Sequence, residues 1–315
     1  MDAAVYRDEQ LDAFRQDVLQ GLARSQKSLP SRWLYDPQGC ELFEQITRLP
    51  EYYPTRTETA ILQDHAGEIA AFCGPYANLL EYGAGAGIKT EIVVGSLERP
   101  RSYIPIDIAG EFLDLTAARF RQQFGSLRVD PVVADFTADF ALPARILDDG
   151  RRVAFFPGST LGNLNAKDAG LFLQRMRRQV GPQGAAIIGI DLKKDLDILL
   201  PAYDDRAGVT ADFNRNILVR INRELGGQFN ASQFRHIACW NEAESAVEMH
   251  LESPIDQVIA VAGKGFAFRR GETIHTESSR KYEIQGFSQF ARRHGWHTLR
   301  LWTDPQRHFA VFGLI

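Results

Sequence analysis

The chain has 315 residues, 44% of them hydrophobic and 24% charged, with a formal net charge of −4. That is ordinary globular composition, and its scattered basic residues leave no electrostatic footprint for nucleic acid. Three widely spaced cysteines, Cys40, Cys73 and Cys239, give neither a disulfide framework nor a Cys-rich metal centre, and the absence of a signal-peptide pattern or a membrane-length apolar run makes the cytoplasm the expected location.

The first fifty residues read as helical, with Leu11, Phe14, Val18 and Leu22 at helical spacing and a second pattern from Gly39 to Leu49. In EYYPTRTE, Pro54 is expected to end that region, because the residue before a proline is pushed out of helical geometry. Thr55 and Glu58 then have capping-box spacing, which predicts a helix starting just after Tyr52 and Tyr53.

From Tyr76 short apolar runs alternate with helical patterns. The runs are ANLLEYGAGAG, RSYIPIDIA, VDPVVADF, RRVAFFPGST and GAAIIGIDL, with a helix capped near Asn165 before the last. Such alternation predicts an open parallel sheet covered on both faces. Beyond Lys193 the texture changes. Phe213, Ile217, Ile221 and Leu225 stripe a helix, VEMHLES alternates with period two, and GKGFAFRRGETIHTE predicts antiparallel strands turning around Arg270-Gly271. A closing helix and two strand-like runs, WHTLRLWTD and HFAVFGLI, are expected to complete the first sheet. The expected division is therefore an α/β domain over 57–196 and 281–315, with an α+β domain over 1–56 and 197–280. The inserted part is expected to face the carboxyl ends of the strands, where open α/β sheets take ligands.

LLEYGAGAGIKT is the sharpest chemical signal. A phosphate loop would need glycine directly before Lys89-Thr90, where Ile88 stands. A dinucleotide fingerprint would need its third glycine one place later. The E/D-x-G-x-G-x-G loop of methyltransferases using S-adenosylmethionine fits from Glu81 through Gly83 and Gly85 to Gly87, with Lys89 just behind it. Asp107, about 20 residues further along, can accept from vicinal ribose hydroxyls. Asp135 can accept from an adenine amine while Phe136 packs beside the base. The histidines, including His250 and His275, show no HExxH or other metal spacing, and Ser278 with Lys281 matches SxxK without companion motifs.

Longer strings carry a resemblance to one family: SRWLYDPQGCELFEQITRLPEYYPTRTE, LLEYGAGAGIKT, YIPIDIAGEFL, VVADF, FFPGSTLGNL, YDDRAGVTADFNRNILVRINRELG, VEMHLES and HTESSRKY. Nearly all of the chain resembles the L-histidine Nα-methyltransferases that make trimethylhistidine (hercynine) in ergothioneine biosynthesis. The resemblance implies a class I, Rossmann-like methyltransferase domain that binds S-adenosylmethionine, an inserted α+β substrate-binding domain, a monomer, and no metal. It implies three successive transfers onto the α-amine of histidine, releasing S-adenosylhomocysteine. It places Asn163 on the substrate's backbone groups, Tyr203 on its carboxylate and Tyr53 beside its amine. Met249, Glu277, Ser279 and Tyr35 are implied for the side-chain pocket, with Glu277 and Ser279 on the imidazole. Gly-Ala-Gly-Ala-Gly stands where the family often has a hydroxyl after the first glycine. From the residues alone, methylation of another aromatic amino acid or imidazole-containing amine, or a non-catalytic adenosine-binding module, also stays open.

Overall fold

The computed structural model describes residues 3–144 and 150–315. It separates into two compact units, Met1–Tyr53 with Lys194–Ser279, and Pro54–Lys193 with Arg280–Ile315. Among the described residues no helix is long and apolar enough to cross a membrane.

The chain opens with α1 (Ala3–Leu22), whose spacing buries Phe14, Val18 and Leu22. A two-residue strand, β1 (Lys27–Ser28), and α2 (Pro37–Ile46) follow. Asp36 caps α2 by accepting from Gly39 N at 2.8 Å, and Pro37 takes the first-turn place where its missing N–H costs nothing. The next helix, α3 (Tyr53–Asp64), corrects the sequence reading at EYYPTRTE. It begins at Tyr53, so Pro54 opens a helix rather than closing one, and Tyr53 lies on its first turn. Glu58 does not reach back toward a cap at Thr55. Its carboxylate accepts from Lys89 Nζ at 2.5 Å and Gly158 N at 2.8 Å, so distant partners hold what a capping box would have used.

After α4 (Ala66–Cys73) come β2 (Asn78–Tyr82), α5 (Ile88–Ser96), β3 (Ser102–Asp107) and α6 (Gly110–Gln123). Pro131 lies between β4 (Arg128–Val129) and β5 (Val132–Val133), and β6 (Arg152–Phe156), α7 (Ala166–Val180) and β7 (Ala185–Asp191) follow. Asn165 caps α7, accepting from Asp168 N at 2.9 Å. These strands are parallel and, with the carboxyl-terminal β13 (Thr298–Thr303) and β14 (Phe309–Leu314), make one sheet in the order β13-β14-β7-β6-β2-β3-β4, where β5 also pairs β3 and β14 runs antiparallel to β7. Apolar side chains fill both faces: Leu80, Ile104, Phe156 and Ile188 enter one core, Leu79, Tyr103, Phe155 and Ile187 the other. The chain runs outward from β2 through β3 to β4 and β5, then crosses back to β6 on the other side of β2. That reversal opens the crevice where such sheets bind ligands.

The other unit continues from Lys194 through the short helix α8 (Leu196–Leu199) to α9 (Val209–Leu225), which buries the expected stripe of Phe213, Ile217, Ile221 and Leu225. Then come β8 (Arg235–Asn241), β9 (Ala246–Glu252), β10 (Gln257–Val261), β11 (Lys264–Phe268) and β12 (Thr273–Arg280). A turn does form at Arg270-Gly271, where Glu272 N donates to the Arg269 carbonyl at 3.0 Å, but the expected antiparallel pairing of the strands around it is corrected. The hairpin is β10–β11, closed by Ala262 (φ 48°) and Gly263 (φ 78°), the two left-handed residues that match strand twist in a two-residue turn. β12 instead joins a four-stranded sheet ordered β1-β12-β9-β8.

A buried polar relay ties α9 to that sheet. Thr276 Oγ1 donates to Asn214 Oδ1 at 2.6 Å, and Asn214 Nδ2 approaches His236 Nδ1 at 2.9 Å. His236 Nε2 meets the Tyr203 carbonyl at 2.8 Å, so Nδ1 accepts and Nε2–H donates. Burial lowers the pKa of His236, consistent with the neutral ring. Asn214 and Thr276 are both fully buried, so cutting the relay strands polar atoms. Asn214→Ala should lose about 1–3 kcal/mol of unfolding free energy in urea titration; an unchanged midpoint would contradict the relay.

Candidate active site

The loop after β2 is built from backbone shape. Gly83, Gly85 and Gly87 all have positive φ, 71°, 46° and 65°. A Cβ on Gly87 would also lie 2.8 Å from the Phe120 ring, so this position excludes side chains twice over. Asp107, ending β3, accepts from Gly85 N at 3.1 Å and Ala109 N at 3.0 Å. Burial raises its pKa against those two backbone donors. Two accepted bonds leave a carboxylate further lone pairs for hydroxyl donors. Asp135 makes a tight turn with Thr137 N at 2.8 Å, and half-buried Phe136 packs edgewise on Phe156 with centroids 5.5 Å apart. Gly83, Gly85, Gly87, Asp107, Asp135 and Phe136 thus gather at the carboxyl edge of neighbouring parallel strands.

Glu81 and Lys89 are anchored within the protein. Glu81 is 1% exposed and accepts from the hydroxyls of Thr90 and Tyr103. Lys89, at the start of α5, pairs with the fully buried Glu58. Glu58 was missed by sequence reasoning; its capping-box spacing offered a cheaper explanation.

The loop after β6 is strained. Gly158 (φ 81°) is followed by Ser159 at φ 57°, unusual for a residue with a side chain, and Ser159 Oγ repays it by accepting from Asp191 N at 2.9 Å. A single 3₁₀ turn, Thr160–Asn163, then places half-buried Asn163 at its end. Gly162 lets this turn lie against the backbone of Arg280, where a Cβ would be 2.7 Å from the carbonyl oxygen.

In the other unit, the expected substrate residues cluster. Tyr35 lies edge-on to Phe43 and Phe213, with centroids 5.5 and 5.3 Å away. Burial and then the charge of Glu277 push its phenol well above the usual value, with Tyr52, Cys40 and Tyr203 adding to the effect. Tyr203 donates to Ser279 Oγ at 2.7 Å and faces Tyr52 at 6.4 Å. Glu277 is 6% exposed. Along β12 Ile274 and Thr276 are buried, and so are Glu277 and Ser279, two residues that share a face by period two. Met249 is buried on β9 between Val247 and Leu251, while His250 points to the other face. Tyr53 accepts from Lys194 Nζ at 2.6 Å, and that ammonium lies 4.4 Å from the ring centroid. Lys194 had no sequence signal, because 141 residues separate it from its partner.

The strand order and the glycine loop define a class I, Rossmann-like methyltransferase that uses S-adenosylmethionine. A family model described as "Histidine-specific methyltransferase, SAM-dependent" matches residues 14–314, and the chain belongs to that family. It is 38% identical over 304 residues to the histidine N-alpha-methyltransferase of Mycobacterium tuberculosis, covering 95% of this chain and 94% of that one. It is equally 38% identical over 309 residues to the enzyme of the same name from Mycolicibacterium smegmatis, covering 96% and 95%. The ergothioneine biosynthesis protein 1 of Neurospora crassa is 27% identical over 294 residues, covering 88% of this chain and 32% of that longer protein.

Burial pushes Glu81 up to about 8, opposed by the hydrogen bonds from Thr90 and Tyr103. Between the ordinary carboxylate range and that value, the folded chain keeps a proton that the unfolded chain has released. Stability therefore falls as pH rises through this window. Glu81→Gln cannot ionise, so its melting temperature should drop less than the parent's between about pH 5 and about pH 8. Parallel curves for the two proteins would refute the burial argument.

Proposed function

We propose a division of labour for a reaction that the family sets: methyl transfer from S-adenosylmethionine to the α-amine of L-histidine. In this reading the amine is methylated three times to trimethylhistidine (hercynine), in the cytoplasm, by a monomer, at the entry to ergothioneine biosynthesis. Residues 57–196 and 281–315 bind the cofactor, and residues 1–56 and 197–280 bind the amino acid. The sulfonium is already activated by its charge, so the protein mainly aligns nitrogen, methyl and sulfur. Gly83, Gly85 and Gly87 admit the amino-acid and ribose portions closely, with Glu81 and Lys89 fixing the loop ends. Asp107 accepts from the ribose hydroxyls, and Asp135 with Phe136 holds the adenine.

Repeated alkylation removes N–H donors from the very atom that reacts. The substrate must then be held by its other ends. Tyr203 and Asn163 take the carboxylate side, and Tyr53, steadied by Lys194, lies beside the amine. Tyr35 and Met249 wall the ring. Ser279, already accepting from Tyr203, donates to one ring nitrogen while Glu277 accepts from the other. The observation that carries this reading is the buried Tyr203–Ser279 hydrogen bond on the strand that carries the buried Glu277, a set of polar groups inside an otherwise apolar core.

Histidine, tryptophan and tyrosine, each incubated separately with the chain and S-adenosylmethionine, provide the test by mass spectrometry. Only histidine should gain methyl groups, up to three; gain on tryptophan alone would overturn the substrate. Glu277→Ala should cost about 1.5–3 kcal/mol in kcat/KM for histidine, roughly 10- to 100-fold, with cofactor affinity unchanged. Equal kinetics for variant and parent would remove Glu277 from the pocket.

A further inference from the structure

The sheet of the first unit brings together side chains that the methyl transfer does not use. Cys239 on β8 lies directly opposite Glu248 on β9, and His250 follows two residues later on the same face. The sulfur, a carboxylate oxygen and an imidazole nitrogen of these three lie within 4.8 Å of one another. On the other side of β9, β12 brings His275, its ring centroid 5.1 Å from that of His250. Val247, Met249 and Leu251 fill the core from the opposite face, so the cluster takes no part in that packing.

A second observation points to a ligand. His250 Nε2 meets Glu248 Oε2 at 3.1 Å, while Nδ1 of the same ring is buried with no hydrogen-bond partner. A separation of 3.1 Å is close to that of two ligand atoms each about 2.0–2.1 Å from one tetrahedral ion, so an ion takes the place of this hydrogen bond with Nε2 as its ligand. Nδ1 points away from the carboxylate and keeps the ring proton. The second oxygen of Glu248 accepts from Asn241 Nδ2 at 2.8 Å, which fixes the carboxylate's orientation.

We propose that Cys239, Glu248 and His250 bind a divalent late transition-metal ion of the zinc class, with His275 completing the set when its Nε2 leaves the Ser278 hydroxyl that it meets at 2.9 Å. Thiolate and carboxylate together balance a dication, and the two imidazoles enter neutral. Sulfur with imidazole nitrogen favours zinc, cobalt or nickel over magnesium or calcium. Thiol binding releases one proton to solvent as the sulfur–metal bond forms, with no change of oxidation state. The ion touches no reacting atom. It joins β8, β9 and β12, and β12 carries Glu277 two residues beyond His275, so an effect on histidine binding rests on the reading above while the site itself does not.

Cobalt(II) is the probe, added to tag-free chain in histidine-free buffer, because free histidine chelates it. After desalting, the parent should retain one cobalt per chain and show near-ultraviolet thiolate-to-cobalt absorption. Cys239→Ser should lose that absorption, and His250→Gln should weaken retention at least about tenfold. Both variants should keep the parent's methyl transfer and melting temperature in chelator, which separates loss of ligand from loss of fold. No cobalt retained by the parent, or absorption surviving in Cys239→Ser through Cys40 or Cys73, would overturn the site.

Discussion

A carboxylate kept almost out of water is the constraint around which the proposed amino-acid pocket is arranged. Glu277 is buried on β12, close enough to Tyr35 for its charge to raise that phenol's pKa. A buried acceptor is costly unless a donor meets it, and an imidazole N–H is such a donor. On the proposed reading the same cost turns away rings that bring no hydrogen there, and the Asn214 relay ties β12, which carries Glu277, to α9.

The sheet unit works by a different device. In its glycine loop three residues adopt left-handed backbone and carry no Cβ, the shape that the proposed cofactor contact needs. Charge is kept behind the loop: Glu58 with Lys89, and Asp191 with Lys281 at 2.7 Å, are nearly dry pairs anchoring the strand ends. Buried pairs of this kind add little net stability, but breaking one leaves an uncompensated charge, so they fix loop positions firmly.

Elements governed by local periodicity were legible in the sequence. The parallel runs, the Asn165 cap and the Phe213-to-Leu225 stripe each follow from spacing alone. Features decided by distant partners were not. Thr55 and Glu58 have capping-box spacing, yet Glu58 finds Lys89 and Gly158 instead. Arg270-Gly271 looks like a hairpin turn, yet Ala262-Gly263 closes the shorter loop, and β1 pairs with a strand some 250 residues away through only two residues. Among the proposed pocket residues, Tyr35, Met249, Glu277 and Ser279 could be named through family resemblance, whereas Lys194 and the His236 relay depend on partners far away in the chain. Cys239, Glu248 and His250 share no sequence spacing because strand pairing alone brings the cysteine to the other two.

The sharpest measurement compares turnover of histidine with that of its two ring-N-methyl isomers under one cofactor concentration. If Glu277 accepts from a ring N–H while Ser279 donates to the other nitrogen, at least one isomer must fall far below histidine in kcat/KM. Comparable turnover of all three would mean that no buried carboxylate reads the ring.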